Sequence, residues 1–131
     1  MKDVASQGII EIESNHSVDE TVSRLKEILA AKGIKLFAEI DHSGEAEKAG
    51  FKMLPTKLLI FGNPKAGTPV MLAAPLSAID LPLKILVRQD GAGKTYLAYN
   101  APEFLRVRHN IPADLIGNIA AAEVIANNAA K

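Results

Sequence analysis

Two glycine-rich runs in this chain could hold a phosphate. The first is "GAGKT", Gly91 to Thr95. A phosphate-binding loop needs G-x-x-x-x-G-K-[ST] between a strand and a helix, so that backbone amides and a helix dipole meet the anion. Counting back from Gly93, the position for the first glycine is held by Arg88. Residues Thr95 to Asn100, "TYLAYN", favour a strand rather than a helix. The run therefore reads as a hairpin turn, opened by Asp90-Gly91 and closed by Gly93 at positive φ. ATP binding is not expected here.

The second run is "FGNPKAGTPVMLAAP", from Phe61 to Pro75. Asn63-Pro64 marks a turn at the end of a strand. Thr68 before Pro69 is the pattern of an N-cap with proline at the first helical position, and Pro75 limits the helix. Free first-turn amides with Lys65 nearby would suit a carboxylate or phosphate near Asn63, Lys65 and Thr68. The competing reading is that these residues only shape a tight strand-to-helix connection.

His16, His42 and His109 are the histidines. Were Asp41, His42 and His109 to meet, they would supply a two-histidine, one-carboxylate metal site or an acid–base pair working near neutral pH. No H-x-H or H-E-x-x-H spacing requires this, and capping or hydrogen-bonded structural histidines explain each position as well. A serine triad has less support, because no G-x-S-x-G elbow occurs. The absence of cysteine removes thiolate nucleophiles, disulfides and cysteine-based zinc sites.

The elements that must position these residues are legible in outline. "GIIEIES" reads as a strand. Ser17 stands at an N-cap with Glu20 three residues on, and Val18, Val22, Leu25 and Leu29 form one apolar helical stripe. Glu20 and Arg24 are spaced for an i,i+4 ion pair, and Gly33 for a left-handed stop. "IKLFAEID" alternates, with Ile34, Leu36, Ala38 and Ile40 inward and Lys35, Phe37, Glu39 and Asp41 outward. "HSGEAEKAG" is a short helix ending at Gly50. "TKLLIFG", the most uniformly apolar, reads as a central strand, followed by strands "PLKILVRQ" and "KTYLAYN". Asn100 can cap a brief helix, and a last helix is expected from about Ala113 to near the C-terminus. There Leu115, Ile119, Ala122 and Ala126 make one stripe and Ile116, Ala120 and Val124 a second, which needs either the sheet or a second subunit. The order β-α-β, three more strands and α predicts an α+β two-layer sandwich, a mainly antiparallel sheet packed by helices.

The chain has 131 residues, the size of one domain, 1–131, with enough length to bury a core. Fifteen Lys and Arg balance fifteen Asp and Glu, so no net field draws nucleic acid or an anionic membrane. The start "MKDVASQGIIEIES" has no apolar core of signal-peptide length, and no apolar run reaches membrane-spanning length. A cytoplasmic protein is the expectation.

"FAEIDHSGEAEKAG", "LPTKLLIFGNPKAGTPVM", "DLPLKILV" and "YLAYNAPEFLRVRHNI" together resemble the bacterial family known as domain of unknown function 302, from about Phe37 to Ile111. The resemblance implies a two-layer α+β fold and a homodimer, and brings no activity, cofactor or catalytic residue with it. Among positions that match its distinctive motifs, Asp41, His42, Asn63, Lys65, Lys84 and His109 are polar residues that folding alone explains less readily. With Thr68 they form the candidate set for a small anionic ligand. The expectation is a dimeric binding module without catalysis. The alternatives are an enzyme using Asp41, His42 and His109, and a protein–protein interaction module.

Overall fold

A computed structural model describes residues 7–131. Residues 1–6, part of the start that carries no signal-peptide core, lie outside the described residues. The strands are β1 (Ile9–Ser14), β2 (Lys35–Asp41), β3 (Thr56–Gly62), β4 (Leu83–Gln89) and β5 (Thr95–Asn100). The helices are α1 (Val18–Ala31), α2 (His42–Lys48), α3 (Pro64–Ala73), α4 (Pro102–His109) and α5 (Ala121–Ala130). Short 3₁₀ segments occupy Pro75–Ile79 and Ala113–Ile119. The strands form one sheet in the order β1-β5-β4-β3-β2, every neighbouring pair antiparallel. This is the expected α+β sandwich. The central strand is β4, with β3 an interior strand beside it.

Helix α1 forms where the pattern places it. The Ser17 hydroxyl accepts the Glu20 N–H, and Val18, Val22, Leu25 and Leu29 are buried. Gly33, at φ +67, ends the helix. The Glu20–Arg24 pair does not form. Glu20 instead meets His16 Nδ1 at 2.6 Å. Arg24 donates to the carbonyls of Ala129 and Asn128, at the C-terminal end of α5, where the helix dipole favours a cation. A tertiary partner has displaced the local one.

Helices α1 and α5 cover one face of the sheet. Leu59, Phe61, Ile85, Val87, Leu97 and Tyr99 point from it into a core shared with the α1 stripe and with Ile125, Ala126 and Ala129. The expected last helix is two pieces, since the 3₁₀ segment Ala113–Ile119 precedes α5. Gly117 and Asn118 are poor helix formers, and Asn118 is committed elsewhere, donating from Nδ2 to the Ala66 carbonyl at 3.0 Å. A second, smaller core of Val70, Ala74, Leu105, Ile111 and Ile119 joins α3 and α4 to the Leu83 end of β4. Helix α4 starts at Pro102 after Ala101, and Asn100 stays in β5 opposite Ile9. The cap expected of Asn100 is therefore not made.

On the opposite face of the sheet, a row of paired residues runs Ile40, Leu58, Leu86, Ala98 across β2, β3, β4 and β5 before meeting Glu11 on β1. The four apolar residues are half-buried, and none belongs to either core. A sheet face turned to water normally carries polar side chains.

Candidate functional site

The site is built at the end of β3. Phe61 is fully buried, and Gly62 follows it. A Cβ on Gly62 would lie 3.4 Å from Pro82 Cβ and 3.5 Å from Phe37 Cε2, ordinary packing distances, so the two rings close on the strand at this residue. Asn63 is extended, and its side chain caps α3 by accepting the Lys65 N–H at 2.9 Å. Helix α3 therefore starts at Pro64, earlier than the Thr68-Pro69 pattern predicts. Both prolines follow a residue able to cap, and Pro69 falls inside the helix, where it withdraws the donor for the Lys65 carbonyl.

This start uses up the amides that an anion site would need. Pro64 has no N–H, the Lys65 N–H goes to the Asn63 side chain, and those of Ala66 and Gly67 go to the Asn63 carbonyl, each at 2.9 Å. What remains beside α3 is a groove of about 190 Å³. Its walls are chiefly apolar: Phe37, Phe61, Met71, Pro82, Leu83 and Ile119. Asn63, Thr68 and Asn118 contribute its polar groups. Lys65 is not in the lining; it is exposed and meets no carboxylate among the described residues.

The groove draws on residues that sequence patterns do not mark as functional. Strict alternation places Phe37 on the polar side of its strand. A register shift between Leu36 and Ala38 makes it a bulge residue, turned to the groove and still 44% exposed. A phenylalanine among Lys, Glu and Asp is the available signal. Met71 and Pro82 carry none.

His109 and Lys84 converge on a different point. His109 Nε2 lies 2.6 Å from Asp80 Oδ2, and Arg108 donates to the same oxygen at 2.8 Å. Lys84 Nζ donates to the carbonyls of Asp80 and Pro82 at 3.2 and 2.9 Å. Burial draws the Lys84 ammonium below the usual lysine value, and the Asp80 charge opposes the shift. The Leu81–Pro82 peptide bond between them is cis. Together these contacts hold the turn that carries Pro82 into the groove wall. Ser77 and His109 border the same small void, but Ser77 is only 1% exposed, so a substrate has no access to its hydroxyl.

Asp41 and His42 sit at the other end of β3. Asp41 pairs with Lys57, whereas Leu83 pairs with Phe61, four strand positions or roughly 13 Å away. Asp41 caps α2, accepting from the Ser43 hydroxyl at 2.7 Å and the Gly44 N–H at 2.9 Å. The Ser43 hydroxyl, then the Gly44 amide, hold its carboxyl below the ordinary aspartate range. His42 is exposed on the first turn of α2. Asp41 and His42 are thus not assembled with His109, and no group of three or more His, Asp or Glu side chains suited to a metal occurs among the described residues.

Residues 10–129 match the family described as domain of unknown function DUF302. The chain belongs to the DUF302 family. Its fold is also that of a crystal structure described as an uncharacterized conserved protein DUF302 from Bacillus stearothermophilus, with a TM-score of 0.78 at 22% identity, over 94% of this chain and 95% of that one. Among curated proteins, the DUF302 chain is 38% identical over 111 residues to the fluoride-specific ion channel FluC 1 of Brucella suis, covering 85% of this chain and 44% of that protein. FluC 1 of Brucella abortus gives the same identity with 41% of its length covered. The chain thus spans less than half of these relatives. No helix among its described residues is long and apolar enough to cross a membrane.

Proposed function

We propose that this DUF302 chain is a non-catalytic binding module for a small molecule with an apolar body and an anionic end. The groove beside α3 carries the reading. Its aromatic and aliphatic walls suit an apolar body, Asn63 and Thr68 add polar groups, and Lys65 neighbours the lining residues Pro64 and Ala66 in sequence. Fluoride itself, strongly hydrated and compact, is a poor match for such walls, and the first-turn amides of α3 are already bonded. For the Brucella proteins, we assign the pore to the part of the chain outside this match and the binding module to the shared part.

The test is a thermal-shift screen of small carboxylic acids against the protein and its Gly67→Leu variant. A Cβ at Gly67 meets only Met71 Cε, at 3.8 Å, so the helix accepts a side chain there while the groove fills. Ligand-dependent stabilisation of the parent alone supports the reading. Equal stabilisation of both, or of neither, sinks it.

We further propose that the module is a homodimer joined through the uncovered sheet face, on the strength of the apolar row Ile40, Leu58, Leu86 and Ala98. An isologous contact would bring this row against its own copy. Sedimentation equilibrium should find a dimer that Leu86→Glu dissociates and Val124→Glu, on the exposed side of α5, leaves intact. Dissociation by Val124→Glu alone would move the interface to that helix.

A further inference from the structure

We infer that Lys35 anchors the charged end of the groove's ligand, and that this ligand is a monocarboxylate whose body is about one six-membered ring or a short branched chain. The inference rests on the groove being the binding site. Half of the fourteen Lys and Arg side chains among the described residues pair with a carboxylate: Lys26 and Lys57 share Glu39, Lys48 meets Glu45, Arg88 meets Glu11, Lys94 meets Glu13, Arg106 meets Glu103 and Arg108 meets Asp80. Lys35 pairs with no carboxylate among the described residues, and it flanks the groove between the lining residues Ile34 and Phe37 without itself lining it. Its Cα is opposite Gly62, a lining residue, and its ammonium lies 5.1 Å from the centroid of the Phe37 ring, which forms one wall. The ammonium lies over a face of that ring, so a ligand ring packed against the Phe37 edge, with its carboxylate at the groove rim, would have the charge on the side of Lys35. Lys65, next to the lining residues Pro64 and Ala66, is a second cation without a carboxylate among the described residues.

Size and polarity narrow the class. An apolar cavity of about 150 Å³ takes a benzene molecule, so about 190 Å³ leaves room for one ring and a small substituent. Walls this apolar disfavour a charge carried deep in the groove, so the carboxylate belongs at the rim, where the lysines are, and a diacid with its second carboxylate at the far end of the body is disfavoured. With the amides of α3 bonded, the lysines are the cations left to meet the first.

The experiment is a ¹H–¹⁵N titration with benzoate and with benzamide, its neutral counterpart, on the parent protein, Lys35→Ala and Lys35→Arg. Benzoate should move the Gly62 and Gly67 amides and bind about five- to tenfold more tightly than benzamide, the scale of a charge-assisted contact at a half-exposed site. Lys35→Ala should remove that preference without altering benzamide binding, and Lys35→Arg should keep it. Raised salt should weaken benzoate alone. Equal binding of the two probes, or a benzoate preference that survives Lys35→Ala, overturns the role of Lys35 while leaving the groove reading intact. If neither probe moves those amides, both readings fall.

Discussion

The two glycine-rich runs share composition and differ in what lies beneath them. In the turn between β4 and β5, Asp90 Oδ1 accepts the Ala92 and Lys94 amides, at 3.0 and 2.9 Å, and Gly93 adopts φ +84 over open space. In the run after β3, Asn63 consumes the amides of Lys65, Ala66 and Gly67, and the chain continues as a helix. The amides of Ala92, Gly93 and Lys94 in the first run, like those of Lys65, Ala66 and Gly67 in the second, are already bonded. The difference is that the second run follows a buried phenylalanine and forms one wall of a groove, whereas the first projects from the end of a hairpin. A Gly-Lys run is a binding element only when its amides are free, and otherwise it contributes through what it packs against.

Substitutions in the two runs can break that comparison. The largest effect is expected at Phe61, on which the second run rests: Phe61→Ala should cost about 3–5 kcal/mol in denaturant unfolding and abolish ligand-dependent stabilisation. A loss under about 1 kcal/mol would mean the run is not anchored there. Next, Gly93→Ala should destabilise by roughly 1–2 kcal/mol, because an L-residue is strained at that positive φ. The same change at Gly67 should have the opposite sign, since Gly67 is helical with room for a methyl group; a gain of about 0.5–1 kcal/mol is expected. Matching signs at Gly93 and Gly67 would refute the contrast.

The smallest effect belongs to a third side-chain cap, Asp41. Its carboxyl is depressed in the folded state, so the capped end of α2 is stabilised above the ordinary aspartate pKa of about 3.9 and loses that stabilisation as pH falls through the lower folded value. The Gly44 amide shift should follow this titration in the parent and lose it in Asp41→Asn. An unchanged titration in the variant would assign the dependence to another carboxylate.

Legibility in the sequence tracks the range of the forces involved. The α1 stripe, the Gly33 stop and the hairpin at Asp90–Gly93 depend on neighbours within a few residues, and they form as their local patterns predict. The start of α3 is ambiguous in sequence because Asn63-Pro64 and Thr68-Pro69 send the same local signal. The helix takes the earlier start, leaving Val70 buried in the second core. The fates of Glu20, Arg24 and Asn118 are set by His16, the end of α5 and Ala66, contacts that no local spacing announces. The candidate residues divide in the same way. Asn63 and Asp41 are caps, a role their positions before short helices allow. Lys84 and His109 need Asp80, which only the fold brings to them. The groove is least visible of all, because a bulge turns Phe37 into it and a distant turn supplies Pro82.

The most direct test of the central claim is a crystal structure of the protein grown with benzoate. Density for the ring is expected between Phe37, Phe61 and Met71, with the carboxylate towards Lys35 and Lys65, and the groove should be empty in Gly67→Leu crystals grown the same way. Benzoate bound only elsewhere, or an empty groove in the parent at concentrations that shift its melting temperature, would contradict it.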